Sequence, residues 1–330
     1  MSSSRLPGRL ARAAIAASLC WAPAARAQQG FAVERFYPSA PGGGWFVMDD
    51  LSMRGGLGGV AALTGGYALA PLRVTAGTQS LAVVSDQAFA NIGLGVTLDR
   101  FRLYLDLTSP LAIEGKSGTV GSYQFTAPSV DVANPPDLVS DARVGFDARI
   151  LGDPKGPFRL GAGAQLLIPN GNRSDYDTDG TVRAMLRLLF AGDVGHFTYA
   201  AQLGVHVRPL DDSPTPGSPA GSELLFGAAA GASIPLDEGG RTVLVVGPEV
   251  YGETAFRTFF GGETTGVEAL MTGRVEGTGD DGPQLRVKLG TGGGLAPSFG
   301  APEWRIVFGV ELFDRHAAAG AAKTDGTPQR

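Results

Sequence analysis

The sequence predicts an all-β protein, a transmembrane antiparallel up-and-down β-barrel of about 12 strands. Three observations predict this class: long stretches that alternate with period two, an amino-terminal secretory signal, and an even number of strands joined alternately by short turns and longer loops. A strand tilted across a bilayer needs roughly 9–11 residues, with apolar side chains facing lipid and polar ones facing a lumen. Globular strands are usually about 5–6 residues long. Length and alternation together therefore favour a barrel in the bacterial outer membrane.

The clearest hairpin covers residues 87–108 and turns at Asp99-Arg100. Apolar side chains alternate with polar or small ones along both of its strands, which is the period of a β-strand with two chemically different faces. The apolar face comprises Ala90, Ile92, Leu94, Val96, Leu98, Phe101, Leu103, Leu105 and Leu107. This pattern recurs down the chain and predicts the other strands.

Composition narrows the class further. The chain has 330 residues, with 43% hydrophobic, 18% charged and 50 glycines, enough for one large barrel or two globular domains. No run of about 18 apolar residues is present, which argues against a helical membrane protein. The apolar residues are periodic, so the chain does not resemble a disordered one.

Residues 1–27 are predicted to be a secretory signal peptide, with Arg5, Arg9 and Arg12 as its basic end and Ala25-Arg26-Ala27 as its cleavage site. The segment holds four arginines and no acid, so its removal takes the formal charge from −5 to −9. An acidic mature chain argues against nucleic acid as a partner. The only cysteine, Cys20, lies in this segment. A lipoprotein cleaved before Cys20 is the less favoured alternative, because Leu19 is larger than the residue expected there.

The mature chain is predicted to have three parts. Residues 28–55 form a periplasmic lead-in or a plug, in which the apolar run Trp45-Phe46-Val47-Met48 precedes the acidic pair Asp49-Asp50. Residues 56–313 form the barrel, and residues 314–330 form a periplasmic tail. The predicted strands cover 56–70, 87–98, 101–108, 141–151, 158–168, 181–191, 196–208, 222–236, 242–256, 266–276, 284–290 and 303–313.

The connections between these strands predict the topology. Short turns follow the second, fourth, sixth, eighth and tenth strands, and longer loops follow the others. The loop 109–139 contains Asn134-Pro135-Pro136 and is not expected to hold a strand. Outer-membrane barrels have short periplasmic turns and longer outside loops, so both chain ends are expected in the periplasm. The aromatic residues Phe101, Phe158, Phe190 and Phe197 flank short turns, as an interfacial girdle would.

A set of charged side chains falls on the inward parity and is predicted to line the lumen. An arginine facing lipid at the midplane would cost roughly 2–4 kcal/mol, so the pattern indicates the inner side. The set is Arg102, Asp106, Arg143, Asp147, Arg149, Arg159, Arg183, Arg187, Arg208, Glu249, Glu253, Glu268, Arg274, Arg286, Arg305 and Glu311. These charges either pair and fill the barrel or line a selective pore. The arginine-rich wall and the glutamates Glu249, Glu253 and Glu268 are expected to face each other, with little conductance.

Other motifs point to no catalytic, cofactor or metal site. Asp175, Asp177 and Asp179 with Gly180 resemble the start of a calcium loop, but Leu186 stands where the closing glutamate is needed. The histidines 196, 206 and 316 lack the spacing of a metal site or a triad. We therefore expect that the protein is not an enzyme and binds no cofactor.

Three stretches resemble the amino-terminal barrel of OmpA-family outer-membrane proteins from myxobacteria-like organisms. They are residues 29–46, Ser222-Glu223-Leu224-Leu225-Phe226-Gly227 and Val246-Gly247-Pro248-Glu249. The resemblance covers roughly residues 28–313 and implies an outer-membrane barrel. It also implies a following peptidoglycan-binding domain, which the tail 314–330 does not match, so peptidoglycan is a doubtful partner.

The sequence thus predicts an outer-membrane protein with a structural role or a narrow porin role for small polar solutes. Its expected partners are outer-membrane lipid, lipopolysaccharide and the barrel-assembly machinery. The alternative is a secreted soluble β-sandwich that acts in binding or adhesion.

Overall fold

The computed structural model describes residues 30–53, 56–133, 137–210, 221–278, 282–296 and 300–315. Within this part of the chain, twelve strands close into one antiparallel barrel and two more form a separate hairpin. The barrel strands are β1 (Leu57–Ala76), β2 (Gln79–Leu98), β3 (Phe101–Glu114), β6 (Ala142–Leu151), β7 (Arg159–Ile168), β8 (Arg183–Val194), β9 (Phe197–Val207), β10 (Glu223–Pro235), β11 (Thr242–Ala255), β12 (Thr265–Gly277), β13 (Gly282–Ala296) and β14 (Trp304–Arg315). The predicted signal peptide 1–27 and most of the predicted tail 314–330 lie outside the described residues.

The barrel closes where the first strand meets the last. β1 pairs with β14 from Gly58 opposite Arg315 to Leu69 opposite Trp304, and every other barrel strand pairs with its neighbours along the chain. The prediction of a twelve-stranded antiparallel barrel is confirmed. The alternative of a soluble β-sandwich is wrong, because these strands form one closed sheet rather than two stacked ones.

The two faces of the barrel wall are chemically opposite. Outward side chains such as Leu94 and Leu103 are 54% and 59% exposed, whereas Arg102 and Asp106 on the same hairpin are each 2% exposed. An apolar outer belt around a polar interior is the pattern of a barrel in lipid. The protein is therefore a bacterial outer-membrane β-barrel. Among the described residues, no helix is long and apolar enough to cross a membrane.

The two ends of the barrel differ in their connections. At one end, which we call the turn end, β1 begins, β14 ends and short turns join the strands. Asp99 forms one of these turns with φ 53°, a left-handed conformation that aspartate tolerates. At the other end, the loop end, lie most of the longer connections and the tip of the β1–β2 hairpin.

The β1–β2 connection corrects one expectation. The sequence predicts a longer loop after residue 70, but β1 and β2 are each 20 residues long and continue to a tight turn at Gly77-Thr78. The register shifts between Leu69 and Leu72, where Ala70 has a φ of 52°. This bulge breaks the period-two pattern without ending the strand pairing.

The loop 109–139 is also more structured than expected. β3 continues to Glu114, and two short strands, β4 (Gly118–Val120) and β5 (Tyr123–Phe125), form a hairpin inside the loop. Pro135 and Pro136 lie outside the described residues. The strands therefore occupy the part of the loop that precedes the prolines.

The described segment 30–53, which we call the lumen segment, runs inside the barrel. Gly30 lies beside Arg173 at the loop end, and the carbonyl of Leu51 accepts a hydrogen bond from Arg149 at the turn end. The expectation of a periplasmic lead-in at 28–55 is therefore wrong for residues 30–53, and the plug alternative is correct. Gly30 and the end of β14 lie at opposite ends of the barrel. The two ends of the mature chain lie outside the described residues, so the expectation that both are periplasmic stays a prediction.

Candidate functional site

The lumen segment folds into a compact turn at its centre. Pro41-Gly42-Gly43-Gly44 reverses the chain, and Gly42 and Gly44 have φ values of 82° and 92°, which a side chain would disfavour. Asp50 N donates to Gly43 O at 2.8 Å, and Ser39 N donates to Phe46 O at 2.6 Å. The turn therefore satisfies part of its own backbone inside the barrel.

Apolar side chains of this turn pack against inward glycines of the wall. Trp45 is fully buried, and a Cβ on Gly231 would lie 2.8 Å from its Cη2 atom. A Cβ on Gly290 would lie 2.9 Å from Cε2 of Phe46. Inward glycines therefore create the room that the lumen segment fills.

Glu249 on β11 holds the lumen segment by its backbone. Its carboxylate accepts hydrogen bonds from the N–H groups of Phe46 and Val47 at 2.9 Å and of Met48 at 3.2 Å. The hydroxyl of Thr272 donates to the same carboxylate at 2.6 Å. Glu249 is fully buried and forms no ion pair among the described residues. Its charge is therefore balanced by backbone dipoles of the segment.

At the turn end, the acidic pair of the lumen segment meets arginines of the wall. Asp49 pairs with Arg102, which also contacts Asp147 at 2.7 Å. Asp50 lies 3.6 Å from Arg274. The segment thus supplies two carboxylates to a basic part of the lumen.

At the loop end, the segment carries charges of both signs. Arg35 lies 3.2 Å from both Glu223 and Glu253. Glu34 lies 2.9 Å from Arg305, which also contacts Glu268 at 2.7 Å. Each charge of the segment therefore meets its opposite on the wall.

The structure buries every side chain predicted to line the lumen, and their partners differ from those expected. Arg143, Arg183 and Arg187 pair with aspartates of their own side of the barrel, at 2.8–2.9 Å. The arginine wall does not meet the glutamates across open space, because the lumen segment lies between them. Of the other predicted members, Arg149 donates to Leu51 of the lumen segment, and Arg159 and Arg208 pair with Asp193 and Asp179. Arg286 pairs with Glu311.

Sequence reasoning missed several lumen charges. Lys288 has the parity of Arg286 and lies 2.8 Å from Glu311, so parity alone could have found it. His206 shares the parity of Arg208, and Glu223 is the first residue of its strand. Glu34, Arg35, Asp49 and Asp50 carried no signal, because residues 30–53 lack strand periodicity.

His206, Glu223 and Glu253 place their ligand atoms within 4.8 Å of one another, and all three are buried. Three such groups can hold a metal ion. However, Arg35 and Arg208 lie 3.2 and 3.1 Å from the same glutamates. The guanidinium groups already balance this charge, so the cluster fits an ion-pair network better than a metal centre.

The aspartates of the suggested calcium loop have separate partners. Asp175 accepts from Ser129 N, Asp177 from Asn172 N, and Asp179 from Ala32 N and Arg208. Burial raises the pKa of Asp175 and raises that of Asp177 to about 7. Burial also acts on Asp179, but Arg208 and Arg183 lower its pKa. The carboxylates therefore fasten the loop and the lumen segment rather than converge on one ion.

An apolar cluster covers the loop end, and we call it the lid. Phe31 and Val33 of the lumen segment pack there against the extended hairpin, the β4–β5 hairpin and the loop before β8. The other buried members of this cluster are Leu72, Val74, Val83, Val84, Ile113, Val120, Phe125 and Tyr176. Two cavities beside the segment measure about 60 and 20 Å³. A water needs about 10–15 Å³ by this measure, so these spaces hold a few waters rather than a water-filled channel.

Several solved structures are similar to this chain in shape. An outer-membrane channel from Pseudomonas putida F1 is 15% identical, with a TM-score of 0.48, and the match covers 79% of this chain and 95% of the other. The NanC porin is 6% identical with a TM-score of 0.45, covering 78% and 100%. The β domain of the Bordetella autotransporter BrkA is 13% identical with a TM-score of 0.41, covering 78% and 99%. No protein-family model and no curated protein match the sequence.

Proposed function

We propose that this outer-membrane barrel is a narrow channel for small polar solutes that its own lumen segment holds closed. The observation that carries the proposal is the grip of Glu249 on three consecutive backbone N–H groups of the segment. These contacts, the ion pairs of Asp49 and Arg35 and the lid together hold a separate piece of chain in the lumen. A segment held only by non-covalent contacts can leave, whereas a strand of the wall cannot.

The second candidate is a structural barrel without transport, the other role that the sequence predicts. The many ion pairs in the lumen favour it, since a filled interior stabilises a barrel without conducting. Both candidates are non-enzymatic and share outer-membrane lipid, lipopolysaccharide and the barrel-assembly machinery as partners.

A reporter for the lumen segment separates the two candidates. Trp45 is fully buried in the lumen, whereas Trp304 is 43% exposed on the outside. Trp21 lies in the predicted signal peptide. A Trp304→Phe background therefore leaves Trp45 as the fluorescent reporter of the mature chain. Acrylamide quenching then measures whether the segment is inside.

The experiment is planar-bilayer recording on this background and on two variants. Glu249→Ala removes the acceptor of three backbone N–H groups of the lumen segment, and Gly290→Val pushes against Phe46 without removing a charge. Two different variants are used so that the test still stands if one of them fails to fold. We expect low conductance in the parent, and both quenching and conductance in the variants. Glu303→Ala, which breaks an exposed ion pair with Arg73, is the matched control and should change neither.

Two results would overturn the proposal that the lumen segment opens and closes the channel. Quenching without conductance would leave the structural candidate, and a segment that stays buried in both variants would show that it does not leave. Arg183→Ala/Arg187→Ala tests the wall itself. A large, steady parent conductance that this double substitution leaves unchanged would refute a closed, arginine-lined lumen.

A further inference from the structure

Several hydrogen-bond donors are buried without a partner at the turn end of the lumen. Four arginine N–H groups there have no acceptor among the described residues: Nε of Arg102, Arg149 and Arg159, and Nη1 of Arg274. The indole N–H of the neighbouring Trp45 is in the same position. Buried donors normally have partners, so a cluster of this kind points to an anionic ligand.

Asp49 and Asp50 already act as anions in this basic region. Each uses one oxygen for the backbone of the segment: Asp49 accepts from Leu51 N at 2.8 Å and Asp50 from Ser52 N at 2.9 Å. Each turns its other oxygen to the wall, toward Arg102 and Arg274. The two neighbouring carboxylates thus contact Arg102 and Arg274 as a small dianion attached to the segment would.

We propose that Asp49 and Asp50 occupy a binding site for small dianions, either dicarboxylates or phosphate, whose donors are Arg102 and Arg274. The proposal deepens the proposed function and rests on it for transport: when the lumen segment leaves, the arginines are free for an anionic solute. The acidic pair is then a built-in competitor of that solute. Because the pair is tethered, its effective concentration at the site is high, and free anions compete poorly with the intact segment.

The chemistry of the wall supports an anion over a neutral solute. Among the described residues, Arg102 keeps Asp147 as its one carboxylate partner when Asp49 is gone, and Asp147 also pairs with Arg187 at 2.9 Å. Arg274 likewise keeps Glu276 at 3.4 Å, which it shares with Arg286. Planar guanidinium groups bind carboxylate and phosphate with two parallel hydrogen bonds. A dianion that bridges Arg102 and Arg274 restores the lost charge balance.

The binding test uses full-length protein with Asp49→Asn/Asp50→Asn in the Trp304→Phe background. Thermal unfolding, followed by the gel mobility of the folded barrel, is measured in sodium succinate, sodium phosphate, neutral dimethyl succinate and sodium chloride at matched ionic strength. We expect succinate or phosphate to raise the unfolding temperature of the variant with saturation. The half-saturating concentration in the parent should be about tenfold higher or more, because there the tethered pair competes.

Two further variants sharpen the binding test. Arg274→Gln added to the double variant should abolish the saturable effect. Glu303→Gln is the control: it removes a carboxylate that pairs with Arg73 on the exposed surface, away from the lumen. It should show no difference from its parent. Equal stabilisation by sodium chloride, or equal half-saturation in variant and parent, would overturn the site, and the better of succinate and phosphate identifies the ligand class.

A selectivity measurement distinguishes failure of the dianion site from failure of the channel. The reversal potential of Gly290→Val is recorded in a potassium chloride gradient, where a lumen with this basic end should favour chloride. Conduction with neither anion preference nor anion rescue would refute the dianion site and leave the channel. Anion rescue without conduction in any displaced variant would refute the channel and leave the site.

Discussion

The turn-end and loop-end halves of the lumen hold the lumen segment with different charge patterns. In the turn-end half, Asp49 and Asp50 of the segment meet Arg102 and Arg274 of the wall. In the loop-end half, the segment brings both signs: Arg35 meets Glu223 and Glu253, and Glu34 meets Arg305. Buried polar atoms without a hydrogen-bond partner among the described residues differ as well. At the turn end they include arginine donors, whereas at the loop end they include Nε of Arg183 together with the acceptors Oε1 of Glu253 and Oε2 of Glu268.

This difference shows that the charges of the segment match those of the wall in one orientation of the segment. A reversed segment would set Arg35 among the arginines of the turn end and would separate Asp49 and Asp50 from Arg102 and Arg274, and like charges at short range in a buried site are strongly unfavourable. The loop end also carries the apolar lid. Charge therefore fixes the direction of the segment, and the lid closes one mouth.

The largest expected effect is all or none and concerns which half faces outside. Short turns are periplasmic in barrels of this kind, so the loops 109–139 and 209–221 should face outside and the tail 314–330 the periplasm. An epitope tag at Asp131 should label on intact cells, and a tag near the carboxyl end should not. Equal labelling of both tags would overturn the orientation. A tag in the turn 152–157 is the internal control for the periplasmic side.

The second largest effect is expected at mid-barrel, between the two halves, where Glu249 holds the lumen segment. Glu249→Ala orphans three buried N–H groups at mid-barrel, at about 1–3 kcal/mol each. The free energy of unfolding, measured by urea titration in lipid vesicles, should fall by roughly 3 kcal/mol or more. Glu249→Gln keeps an acceptor oxygen and should lose less. An equal loss in the two variants would contradict the hydrogen-bond explanation.

The two halves should then differ in their response to losing one arginine. Arg102→Leu leaves Asp49 without an ion-pair partner among the described residues, although Asp147 keeps Arg187 at 2.9 Å. Breaking a buried pair in this way costs roughly 3–5 kcal/mol. Arg35→Leu leaves both of its carboxylates with a neighbour, because Glu223 keeps Arg208 at 3.1 Å and Glu253 keeps His206 at 3.3 Å. We expect the loss for Arg35 to be about half that for Arg102. A larger loss for Arg35, in the same urea titration, would reverse the comparison.

The smallest expected effect is a pH dependence confined to the loop end. Burial raises the pKa of Asp177 to about 7, above the 3.8 expected in the unfolded chain. Between these values the folded state holds the proton more tightly, so stability falls as the pH rises from about 4 to 7. Asp177→Asn should flatten this slope, seen as protection of the Asn172 amide from hydrogen exchange. An unchanged slope in the variant would assign the dependence to another group.

Parity along the strands was enough to predict the barrel and the inward charges. Arg102 and Asp106 alternate with Leu103 and Leu105, and this local pattern survives in the fold. The lumen segment could not be predicted in the same way. The partners of Phe46 and Val47 lie about 200 residues away on β11, and an irregular chain has no period that reports burial. The extension of β1 and β2 beyond Ala70 was missed for a related reason. The left-handed residue Ala70 shifts the register, so the alternation of apolar and polar residues does not continue across it.

The seam between β1 and β14 determines where the lumen segment is attached. The segment precedes β1 in the chain, and Gly58 of β1 pairs with Arg315 of β14 at the turn end. A segment that leaves the lumen therefore remains covalently attached beside this seam. Its return is an intramolecular step, so the rate of closing should not depend on the concentration of the protein.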